Sequence, residues 1–75
     1  MKAALTKRQT EIMDFIMFYI ESNGLPPSRV DISKAFGFRS PNAADDHLKT
    51  LSKKGYIKLI PRISRGIQVY PGNLS

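Results

Sequence analysis

Seventy-five residues without a cysteine make one domain that neither a disulfide nor a thiolate metal site can staple. A chain this short buries only about 60% of its unfolded surface, so its stability must come from apolar packing, for which 41% hydrophobic residues suffice. Twelve Lys and Arg against six Asp and Glu leave a net charge of +6, which favours a polyanionic partner, although small domains also carry such charge for solubility alone.

Thr6 and Gln9 stand at capping-box spacing, in which each side chain takes the other residue's orphan backbone N–H. They predict a first helix whose buried face carries Ile12, Phe15, Ile16, Tyr19 and Ile20, widened by Met13, Met17 and Phe18. Leu5 is placed to pack on the turn of Thr10 as a staple. Gly24, after Ser22 and Asn23, suits a left-handed C-terminal position, and Pro26-Pro27 forbids continuation. Ser28 with Asp31 predicts a second start, followed by a short apolar face of Ile32, Ala35 and Phe36 that stops at Gly37. Such a short helix must lean on its neighbours. Ser40-Pro41 marks the third start, with Ser at the N-cap and Pro at the first helical position. Its inner face is Ala44, Leu48 and Leu51, with His47 at the margin and Gly55 as the stop.

The second and third helices are joined by Gly37-Phe38-Arg39-Ser40, the length and glycine content of a helix-turn-helix connection. Past Gly55 the pattern becomes extended. Residues 56–60 and 67–70 are rich in β-formers, and the loop 61–66 between them carries Arg62 and Arg65. A hairpin directly after a helix-turn-helix is a wing. The fold class is therefore α+β, mostly α: a three-helix winged helix-turn-helix with a C-terminal two-stranded β-hairpin wing over residues 1–70. Residues 71–75 read as a tail or the start of an interdomain linker. No apolar run reaches the roughly 18 residues of a membrane span, and Lys7 and Arg8 come too early for a signal peptide. No membrane role is expected.

At 100° per residue, Asn42, Asp45, Asp46, Lys49 and Lys53 share the side of the third helix opposite Ala44 and Leu48. That side can enter a major groove. Asn can bridge adenine N6 and N7, and a carboxylate can accept from cytosine N4. Ser40 and the free N–H groups at the helix start suit a phosphate, while Lys49, Lys53 and Lys54 neutralise backbone charge without reading sequence. Asn42 and Asp45 are taken as readers. Asp46 stands between reader and a carboxylate that merely favours the helix dipole. Arg29 and Arg39 flank the second helix, and Arg62 and Arg65 sit on the wing. Each is a phosphate clamp, a minor-groove contact for the wing pair, or a plain solvated charge.

Catalysis has little to stand on. One histidine excludes an all-histidine metal site, and no serine or carboxylate is placed to make a catalytic unit with His47, which reads as a packing or hydrogen-bonding residue. Asp31, Asp45 and Asp46 make poor joint metal ligands, because neighbours on a helix point about 100° apart. No serine lies in a nucleophile elbow. Neither an enzyme nor a cofactor is expected. Phe18 is the one aromatic of the first helix suspected of a partner contact, and a winged helix that binds protein is the competing class.

The runs Leu5-Thr6-Lys7-Arg8-Gln9, Gly24-Leu25-Pro26-Pro27-Ser28-Arg29, Gly37-Phe38-Arg39-Ser40-Pro41-Asn42-Ala43-Ala44, His47-Leu48-Lys49, Lys54-Gly55 and Ser64-Arg65-Gly66-Ile67 together resemble the amino-terminal domain of the LexA repressor family. The resemblance reaches to about Val69. It implies a repressor of the SOS (DNA-damage) response in the bacterial cytoplasm, at the nucleoid. Its partner would be a palindromic double-stranded DNA operator with CTG and CAG half-sites, bound by a homodimer that is weak or monomeric when free. It also implies that the positions of Ser40, Asn42, Ala43, Asp45 and Asp46 approach the bases while the wing meets backbone or minor groove. The acidic pair is a departure, since the best-known members carry Glu there. Pro61-Arg62-Ile63 also gives this wing an additional positive charge and a stiffer turn. A phage or plasmid regulator with another operator is the nearest alternative. Family repressors continue into a self-cleaving Ser-Lys domain, so the sequence is expected to be the binding part of a longer protein, the alternative being a natural short relative that borrows dimerisation from elsewhere.

Overall fold

A computed structural model describes residues 4–70, so the tail reading of residues 71–75 lies outside the described residues. Three helices come first: α1 (Lys7–Asn23), α2 (Arg29–Phe36) and α3 (Pro41–Lys53). Two strands, β1 (Ile57–Leu59) and β2 (Ile67–Val69), follow as an antiparallel hairpin. The winged helix-turn-helix predicted from the residues is the fold observed. No helix of the described residues is long and apolar enough to cross a membrane.

The helix starts follow from side chains that satisfy backbone donors. Thr6 Oγ1 accepts from Gln9 N at 3.2 Å while Gln9 Oε1 accepts from Thr6 N at 3.0 Å. Ser28 and Asp31 repeat this exchange at 3.1 and 3.0 Å for α2. Gly24 and Gly37 close α1 and α2 at φ 76° and 70°, in the left-handed region where a side chain would be strained. At α3 the N-cap is Ser40, but its hydroxyl makes no capping bond; Pro41 carries the start alone. The Ser40 hydroxyl therefore remains available at the exposed end of the helix.

One core unites the three layers of contact. It comprises Ile12, Met13 and Ile16 from α1, Ile32 from α2, Ala44, Leu48 and Leu51 from α3, and Ile57, Ile67 and Val69 from the wing. The register pairs Ile57 with Val69 and Leu59 with Ile67 on the inward side, and Lys58 with Gln68 on the outward side. Gly66 is buried where a Cβ would meet the carbonyl oxygens of Ile60 and Ile63. No larger residue fits the wing tip as built. Arg62 in the same loop takes φ 66°, unusual for a residue with a side chain.

Four expectations are corrected. Phe18 is 66% exposed and does not widen the buried stripe of α1, because the neighbouring layers cover only the side centred on Ile12 and Ile16. Ala35 is exposed, and Ser33 takes the buried position on α2, its hydroxyl donating to Ser40 O at 3.2 Å. A helix of eight residues has too few apolar positions to fix its phase by periodicity. Leu5 packs on the core, while the Thr10 hydroxyl turns back to donate to Thr6 O at 3.0 Å. The strands are also shorter than the β-rich runs, ending where the loop supplies its own bonds, such as Ile60 N to Gly66 O at 2.7 Å.

Candidate nucleic-acid interface

Ala44, Leu48 and Leu51 are fully buried, so α3 is locked to the body by one side and offers the other to solvent. On the open side Asn42, Asp46, Lys49 and Lys53 are exposed, with Ala43 and Asp45 half-buried at its edges. Ser40 and Arg39 are exposed just before the helix. Asn42 and the Asp46 carboxylate have no side-chain partner among the described residues, and neither have Arg39, Lys53 and Arg62. These groups keep their hydrogen-bonding and charge capacity for something outside the chain.

Other candidates are already engaged. Arg29 Nε donates to Asp45 Oδ1 at 2.6 Å, and Lys49 Nζ lies 3.1 Å from Asp45 Oδ2. Arg29's hydrogen bond is the main reason the Asp45 carboxyl is held below the ordinary aspartate value of 3.8. Lys54 Nζ donates to Gln9 Oε1 at 2.8 Å and Ala4 O at 2.9 Å, tying the end of α3 to the start of α1. Its charge is thus directed at the body. Arg65 Nη1 donates to Asp31 Oδ2 at 2.8 Å, Pro26 O at 3.0 Å and Tyr19 Oη at 3.4 Å. His47 stacks on Phe38 at 5.5 Å and 19°, and Phe38 on Phe36 at 5.9 Å, with Arg8 above both phenylalanines. Packing is its visible role.

The geometry is that of a protein presenting one helix, and a family comparison says which. The model of the LexA DNA binding domain matches residues 1–66. The chain belongs to that family. It is 52% identical over 69 residues to the LexA repressor of Actinobacillus pleuropneumoniae serotype 5b (strain L20), covering 92% of this chain and 33% of that protein. Against the LexA repressor of Histophilus somni (strain 2336), identity is 56% over 66 residues, covering 88% and 31%. The LexA repressor of Pasteurella multocida (strain Pm70) is 53% identical over 66 residues, again 88% and 31%. The chain spans about a third of the length of these curated relatives.

In this LexA-family domain the wing is held by a hub that residue spacing alone could not disclose. Asp31 Oδ2 accepts from Ser28 N, from Arg65 and, at 3.2 Å, from the Tyr19 hydroxyl. One carboxylate oxygen therefore joins α1, the start of α2 and the wing loop. Sequence reasoning found the Ser28–Asp31 half, because those residues are three apart, and missed the Arg65 half, which spans 34 positions. Gln9 was likewise read as a cap alone, whereas it is buried and also receives Lys54.

A pH dependence follows. The backbone N–H of Ser28, more than any other group, holds the Asp31 carboxyl below 3.8. A depressed carboxyl stabilises the fold fully above its unfolded value, and that contribution fades as pH falls through the lower folded value. Asp31→Asn is expected to cost about 1 kcal/mol at pH 7, the net worth of a hydrogen bond. Urea midpoints at pH 7 and pH 3 should show the gap from wild type narrowing at the lower pH. A gap that widens there would mean that the ionised carboxylate is not the stabilising form.

Proposed function

We propose that this chain binds double-stranded DNA in a sequence-specific way, as the operator-reading part of a repressor of the SOS response at the bacterial nucleoid. The observation that carries this reading is α3, anchored by its leucines and bearing unpartnered polar groups on its open side, in a domain of the LexA family. The open side enters the major groove. Ser40, Asn42, Ala43, Asp45 and Asp46 form the part that approaches base edges, with Asn42 and Asp46 carrying free hydrogen-bonding capacity for direct readout. Lys49, Lys53 and Arg39 neutralise phosphates, and Arg62 extends the charge from the wing. Two copies occupy a palindromic operator with CTG and CAG half-sites, spaced by about 10 base pairs or a multiple. Free in solution, the domain is monomeric or weakly dimeric.

Selection of bound duplexes from a random library, run on this polypeptide, tests the reading. The enriched pool should converge on a palindrome of that type. Asn42→Ala should lose roughly 1–3 kcal/mol of discrimination at one base pair, whereas Lys53→Ala should weaken all sequences alike. A pool without a common motif would refute groove reading by this chain.

A further inference from the structure

Arg29 opens α2 and Asp45 lies on α3, yet the 2.6 Å bond from Nε to Oδ1 joins them across 16 positions. Lys49, one turn beyond Asp45, faces the second carboxylate oxygen at 3.1 Å. Both oxygens of Asp45 thus already have cationic donors. Charge-assisted bonds of this kind are stronger than a bond to a neutral amino group, so a cytosine N4 is a poor competitor for them. The pairing also removes the repulsion that a bare carboxylate would feel beside phosphates.

Arg29 is in the opposite condition. Its Nε is committed, but neither Nη makes a hydrogen bond among the described residues. The guanidinium is planar, so a fixed Nε fixes the plane of the whole fork. What remains is the end-on pair of Nη donors, whose spacing matches a bidentate acceptor pair. On a duplex that pair is two oxygens of one phosphate or O6 and N7 of one guanine. The side chain is 26% exposed, with its Nε tied to Asp45. Ordering it before binding lowers the entropy cost of the contact.

We infer that Asp45 is a positioning residue: it holds Arg29 so that the Nη pair takes a bidentate acceptor pair on DNA, and does not itself accept from a base. This rests on the groove-insertion reading above. It differs from the expectation drawn from the sequence, which made Asp45 a reader and Arg29 a simple backbone charge.

The test uses this chain and the duplex enriched in the selection. Arg29→Ala and Asp45→Ala should each weaken binding about tenfold, and the double variant should bind no more weakly than Arg29→Ala. Where the acceptor is a guanine, the two single variants should share one altered base-preference profile; where it is a phosphate, both should weaken all sequences alike. Arg29→Lys, which keeps the charge and loses the fork, should not restore affinity. Where Asp45→Ala fails to fold, the isosteric Asp45→Asn replaces it in the cycle. Operators with methylphosphonate at single phosphates, or 7-deazaguanine at single guanines, separate the two sources. One such substitution should weaken the wild type and lose its effect in Arg29→Ala, naming phosphate or guanine as the acceptor. Multiplicative effects of the two single variants, or no substitution that loses its effect in Arg29→Ala, would overturn the inference. Failure of the wild type to select any duplex would instead overturn the groove reading on which it rests.

Discussion

Leu48→Ala is expected to lower the unfolding free energy by about 2–5 kcal/mol, the range for deleting three buried carbons without collapse of the cavity. Leu48 is fully buried in the cluster with Ile12, Ile16, Ile32, Ile57, Ile67 and Val69, which come from all four other elements. A domain of 75 residues has roughly 4–11 kcal/mol of total stability at typical values per residue. The substitution therefore removes a large share of it. With about 4–8 °C per kcal/mol for domains of this size, thermal unfolding should begin at least about 8 °C earlier. Leu48→Met, which conserves volume, should cost less than about 1.5 kcal/mol. The consequence for the interface is specific. Below its melting temperature Leu48→Ala should keep the base preference of the wild type, because Asn42 and Asp46 remain on the opposite side of α3. An unchanged melting temperature would mean that α3 is not held by this core.

The second large effect is on affinity. Arg39, Lys53 and Arg62 are exposed and have no acidic partner among the described residues, and Lys49 is shared with Asp45 at 68% side-chain exposure. Two copies on one operator would bring about six or more phosphate contacts. Each releases a counterion, so log K falls with log[salt] by about 0.9 per contact, and six contacts weaken binding about 1,000-fold between 50 and 200 mM salt. A salt titration of the selected duplex reads this slope directly. Removing Lys53 should reduce it by about one per copy, whereas Lys54→Ala should change it little, because Lys54 is spent on Gln9 and Ala4. A slope near zero would rule out an interface made by these cations.

The Lys53 and Lys54 pair shows how far residue order reaches. Both read as backbone neutralisers when α3 is drawn alone, since both are lysines at its C-terminal end. Only the placement of α1 separates them, by bringing Gln9 within 2.8 Å of one. Arg65 is similar. Its loop position suggested DNA contact, but α1 and α2 converge on Asp31 and give the guanidinium an acceptor within the protein. The missed phase of α2 has another origin. With eight residues, the difference between burying Ala35 and burying Ser33 is decided by the Ser40 carbonyl on the far side of the turn.

What could be read from residue order was local by nature. Thr6 with Gln9 and Ser28 with Asp31 are partners because a helix start brings residues three apart into reach. Gly24 and Gly37 end helices because only a residue without Cβ enters the left-handed region freely, and the period of Ala44, Leu48 and Leu51 selects one side of a helix before any partner is known. Folding in three dimensions alone decided which charges were left over. Arg29 and Asp45, Arg65 and Asp31, Lys54 and Gln9 are 16, 34 and 45 positions apart. Short-range backbone geometry cannot encode such pairs; they exist because packing of the apolar side chains sets where each helix and the wing must lie.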